Sequence, residues 1–119
     1  MFREIHESEV FSTAERLSNL VWKIVLSWNY FERETVGKQL VRAVDSISAN
    51  IAEAHGRFHF QEKKNFGYYA RGSLEETKSW IRKCRQRNLM SQGELNEIEI
   101  YLKELGPKLN ALINTFKTK

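Results

Sequence analysis

A chain of 119 residues is sized for one domain, 1–119, and can bury roughly two-thirds of its unfolded surface. With 41% hydrophobic residues, three tryptophans and a formal charge of +4, its composition argues for a packed core rather than disorder. One proline and six glycines leave long uninterrupted stretches that favour helices. No apolar run is long enough to cross a bilayer, and the segment from Met1 to Glu9 is too polar for a signal peptide. The single cysteine, Cys84, has no partner for an internal disulfide, which fits a cytoplasmic location.

The first helical pattern carries Phe11, Ala14, Leu17, Val21, Ile24, Val25 and Trp28 at steps of three and four. Ser12 or Thr13 is expected near its start. Trp22 and Leu26 fall on a second face and are candidates for an oligomer interface, the alternative being that one of them covers a loop. "NYFERET" breaks the period, and Thr35 is the expected N-cap of helix 2. That helix should bury Val36, Leu40, Ala43, Ile47, Ile51 and Ala54 and end at Gly56. Helix 3 is expected from about Gln61 to Arg87, with Phe66, Ala70, Ser73, Thr77, Ile81 and Cys84 inward. Its length would be about 40 Å. Ser91 and Glu94 have capping-box spacing at the head of helix 4. Its apolar set runs from Leu95 to Phe116, and Pro107 predicts a kink or break near Gly106. Four helices on short loops imply an all-α, antiparallel up-down-up-down four-helix bundle.

Helix 2 also carries a polar column beside its apolar face: Gln39, Arg42, Ser46, Asn50, Glu53 and Arg57. A hairpin near residue 60 sets Asn50 opposite Ala70 and Ser46 opposite Leu74. Gly67 and Gly72 each weaken helix 3 by roughly 1 kcal/mol relative to alanine, which points to a close approach there. The expected pairs are Glu53 with Arg57, and Glu76 with Arg42 or Arg71. The column is either a binding groove or a polar network, including Ser73 and Glu76, that fixes helix packing or a subunit interface. The second reading is preferred.

The segments "QLVRAVDSISANIAEAHGR" and "YYARGSLEETKSWI" resemble the four helix bundle family whose founding members are encoded by intervening sequences in bacterial 23S ribosomal RNA genes. The matching positions are Gln39, Arg42, Ala43, Ser46, Asn50, Ile51, Ala52, Glu53, Gly56 and Arg57, then Ala70, Gly72, Ser73, Leu74 and Glu76. Ala54 departs from the family's usual Asn-Ile-Ala-Glu-Gly run. The resemblance implies a homopentamer without enzymatic activity. It is also similar to the accessory proteins of diversity-generating retroelements, which bind nucleic acid and a reverse transcriptase.

His6, His55 and His59, with Glu62, are a poor basis for a metal site, although His55 and His59 have i,i+4 spacing. Ser46, Ser73 and Cys84 have no histidine at a predictable position, so neither catalysis nor a cofactor is expected. The sharper feature is one side of helix 3, where Lys64, Arg71, Lys78, Arg82 and Arg85 align, interrupted by Glu75 and flanked by Tyr68. Such a stripe can neutralise phosphates, and a tyrosine can stack on an unpaired base. Five copies would carry about +20, so multivalency favours RNA or DNA binding without sequence specificity over a merely solvated face. The alternative is a structural scaffold holding a protein partner such as a reverse transcriptase.

Overall fold

The computed structural model describes residues 8–116. They form an all-α fold of four long helical rods, with no strand among the described residues. Helix α1 spans Glu9–Leu26. A three-residue α2, Tyr30–Glu32, runs through a π-turn at Arg33–Gly37 directly into α3, Lys38–Gly56, as one rod. Helix α4 spans Phe60–Gln86 and α5 spans Gln92–Thr115.

Ser12 and Thr13 lie near the start of α1 as expected, and Ser8 caps it, its hydroxyl accepting from the Phe11 N–H. Ser12 and Thr13 lie inside the helix. The second rod begins at Asn29, whose Oδ1 accepts from the Glu32 N–H at 3.1 Å. Thr35 therefore caps nothing: its hydroxyl donates back to the Phe31 carbonyl at 2.7 Å. The π-turn inserts an extra residue per turn, which shifts the apolar phase while the backbone stays helical. This is why "NYFERET" imitates a break. Gly37 closes the π-turn against α1; a Cβ there would lie 2.7 Å from Val25 Cγ1.

The expected core of helix 2 is buried throughout, from Val36 to Ala54. In α4, Ala70, Thr77, Ile81 and Cys84 are buried as expected, together with Leu74. Phe66 and Ser73 are only half-buried. Ser91 and Glu94 close the capping box reciprocally, at 3.1 and 2.9 Å. Replacing Ser91 with alanine should lower stability by about 1 kcal/mol, read as an earlier midpoint in urea. The break expected near Gly106 is absent, since α5 passes continuously through Pro107. Leu105 and Leu109 on either side are fully buried, so packing holds the helix across the lost backbone bond.

Contacts between neighbouring rods run with opposite residue order. Ser18 donates to the Val44 carbonyl while Ser48 donates to Glu15, and Arg71 meets Asn110 while Gly67 meets Ile113. A Cβ on Gly67 would sit 2.7 Å from Ile113 Cγ1. The close approach foreseen from that glycine is real, but it brings in α5. Gly72, by contrast, faces open space.

Candidate nucleic-acid interface

On α4, Lys64 and Tyr68 are followed at helical spacing by Arg71, Lys78, Arg82 and Arg85. Lys64 is half-buried and the others are exposed. Arg71 marks where the stripe runs, because its guanidinium donates to Asn110 Oδ1 at 3.0 Å and so ties it to the α5 edge. The same guanidinium lies 5.1 Å from the Tyr68 ring centre. One face of Tyr68 is thereby occupied by a cation. Lys78 pairs with Glu75 at 3.1 Å, an exposed pair of small energetic weight. Among the described residues, Lys64, Arg71, Arg82 and Arg85 have no ion-pair partner, and these four carry the uncompensated charge of the stripe, since Asn110 is neutral.

The polar column of helix 2 is largely satisfied within its own helix. Ser46 donates to the Arg42 carbonyl at 2.8 Å, and the Asn50 amide donates to the Ser46 carbonyl at 2.9 Å. The amide also reaches Ser73 Oγ at 3.5 Å, a hydrogen bond from the column to the middle of α4. Ser73 in turn donates to the Tyr69 carbonyl. Arg57 pairs with Glu53 at 2.6 Å and lies 4.7 Å from the Phe66 ring centre. Among the described residues Glu76 forms no ion pair with Arg42 or Arg71. Arg71 is drawn to Asn110 instead, and Arg42 is exposed on the far side of α3 beside a groove.

That groove was only half visible in the sequence. Trp22 and Leu26 are 52% and 53% exposed and line an apolar hollow of about 390 Å³ with Val25, Gly37 and Val41. Arg33, Glu34, Lys38 and Arg42 stand on its rim. The hidden contributor is the π-turn, which no spacing rule anticipates. Below it, still between α1 and α3, lies a second hollow of about 410 Å³ lined by Glu15, Asp45, Ser48 and small residues. Burial pushes the Asp45 carboxyl above its ordinary range and the neighbouring Glu15 charge adds to this, against a lowering influence of Ser18.

The other candidate chemistries find no geometry. His55 lies in the last turn of α3, but the helix ends at Gly56 and His59 is extended, so the two do not share a helix face. Among the described residues no three His, Cys, Asp or Glu side chains gather to hold a metal, and His6 lies outside them. Cys84 is fully buried, and burial pushes its thiol up to about 11, which keeps it protonated at neutral pH. No described helix is long and apolar enough to cross a membrane.

A crystal structure of a protein of unknown function from the S23 ribosomal protein family of Bacteroides thetaiotaomicron is similar in fold. Its TM-score is 0.74 at 20% identity, over 92% of this chain and 99% of that one. None of the curated proteins matches the chain. The family model for the 23S rRNA-intervening sequence protein matches residues 6–111, nearly the whole chain. By that match, the chain of four helical rods belongs to the 23S rRNA-intervening sequence protein family.

Proposed function

We propose that this protein is a non-enzymatic, cytoplasmic, oligomeric accessory that binds structured RNA or DNA through phosphate contacts on α4. The observation that carries the reading is the run of exposed cations along the α4–α5 edge, of which Arg82 and Arg85 have no ion-pair partner among the described residues. The charge is not spread evenly: Glu94, Glu97 and Glu99 occupy α5, while Lys78 to Arg87 contain no acid. Such separation builds a local positive field that attracts a polyanion. No base-reading motif accompanies it, so affinity comes from phosphates and is independent of sequence.

The opposite-running contacts support an up-down-up-down bundle, and the exposed Trp22 groove supports self-association. We assign the assembly as a homopentamer, in which the stripe is repeated and weak contacts add. The groove also sustains a second reading, a scaffold whose Trp22–Leu26 face holds a protein partner such as a reverse transcriptase.

Fluorescence anisotropy with short structured RNA and duplex DNA, titrated across salt, tests the binding. Four uncompensated cations per engaged chain give an expected slope of log K against log salt of about −3.6 on duplex DNA. More than one engaged chain steepens it. Absence of binding at low salt would leave the stripe as a solvated face and favour the scaffold.

A further inference from the structure

The two hollows between α1 and α3 are parts of one groove. Phe11, Glu15, Asn19, Trp22 and Leu26 follow one another along a single side of α1, and all of them line it. At about 1.5 Å per residue the groove is roughly 22 Å long. Its upper part is apolar, with Arg33, Glu34, Lys38 and Arg42 on the rim, a net positive set. Its lower part is acidic, with Glu15 and Asp45.

A second unexplained surface lies on α5. Gly93, Ile100 and Pro107 are spaced by seven residues and exposed, and Ala111 continues the line. Ile100 is 59% exposed. Ile100 is the large apolar side chain on this line, and the small Gly93 and Ala111 on either side of it let a neighbouring helix come close. At about 1.5 Å per residue, the 93–111 stretch is roughly 27 Å long, comparable to the groove.

The two surfaces cannot meet within one chain. Lys108 of α5 contacts Glu9 and Thr13 of α1. Trp22 comes nine residues after Thr13, which at about 100° per residue turns it to the opposite side of α1 from α5. The same contacts give the relative heights. Eight residues back from Lys108, Ile100 comes within about three residues of the height of Trp22. The α1–α3 bonds place Val41 at that height too. Glu97 then stands level with Lys38 and Arg42, and Lys103 level with Glu15 and Asp45. Opposite charges therefore coincide at both ends when two copies lie side by side in the same orientation. Glu104, next along, is already held by Lys108 at 3.1 Å.

We infer that the α5 stripe of one copy docks in the α1–α3 groove of the next, with Ile100 seated against Trp22 and Val41, Glu97 facing Lys38 and Arg42, and Lys103 facing Glu15 and Asp45. This rests on the self-association proposed above and specifies its surfaces. The contact is head-to-tail, because each copy gives a stripe and receives one. With almost no rise between the two surfaces, it closes into a ring rather than extending as a filament. Docking also supplies a cation to the Asp45 carboxyl, which is partly desolvated and beside Glu15.

The test uses two full-length variants, Trp22→Lys and Ile100→Lys, with solution mass read by light scattering. Each is expected to fall from the wild-type oligomer to 14.0 kDa. An equimolar mixture is expected to yield a two-chain species, because the intact groove of one variant accepts the intact stripe of the other. That recovery also shows that both variants fold. If Ile100→Lys keeps the wild-type mass while Trp22→Lys is monomeric, the groove pairs with another groove and the inference is overturned. A mixture that stays at 14.0 kDa overturns it as well. If both variants remain oligomeric, the docking surfaces are wrong while self-association stands. A wild type of 14.0 kDa removes both.

Discussion

Leu105→Ala is expected to destabilise the protein by about 2–5 kcal/mol, the largest loss from any single truncation considered. Leu105 is fully buried, one turn before Leu109, and the two bracket Pro107. Proline removes one backbone hydrogen bond from α5 and crowds the carbonyl four residues earlier. The helix stays continuous because the leucines on both sides are pinned in the core. Removing one leaves a cavity at the place where the backbone is weakest, so the loss belongs in the upper part of the range. Urea denaturation at fixed protein concentration measures it: the midpoint falls while the slope is unchanged. Tyr30→Ala, at a side chain 73% exposed, is the control and should shift stability by less than about 0.5 kcal/mol. A loss below about 1 kcal/mol for Leu105→Ala would show that packing does not hold α5 through the proline.

The fold was legible where side chains repeat at the helical period and face one core. Val36 through Ala54 and the Ser91–Glu94 box were read correctly because each depends on local spacing alone. The misreadings have local causes of another kind. At Thr35 the π-turn changed the phase without interrupting the helix, and a threonine that looks like a cap bonded backwards. At Pro107 tertiary packing overrode a residue's intrinsic preference. Gly67 announced a close approach but not its partner, since a glycine says that something comes near and nothing about what.

The candidate site was legible in the same uneven way. Periodicity aligned the α4 cations on one side, and the expected approach of Asn50 to α4 occurs at Ser73, three residues beyond the Ala70 set opposite it. Which cations are free was not readable, because that depends on neighbours distant in sequence. Asn110 takes Arg71, whereas Glu76 is left without the pair expected for it. The lower half of the α1–α3 groove escaped notice because small residues such as Ala49 and Ala52 carry no signal until a second helix frames them.

The second large effect concerns the basic stripe itself. Reversing Lys78, Arg82 and Arg85 to glutamate turns three exposed cations on α4 into anions without touching the core. Each lost phosphate contact lowers the salt slope by about one, so the loss of Arg82 and Arg85 should remove about two, and the new anions repel what remains. Lys78 contributes less than the two arginines, since Glu75 already holds it at 3.1 Å. The loss should be the same for different sequences of equal length, because no base is being read.

The most direct measurement is therefore the anisotropy of a labelled structured RNA, titrated with wild type and with this triple variant over a range of salt at matched oligomeric mass. The expected result is salt-sensitive binding by the wild type and loss of both affinity and salt slope in the variant. Equal binding and equal slopes for the two proteins would contradict phosphate recognition by α4.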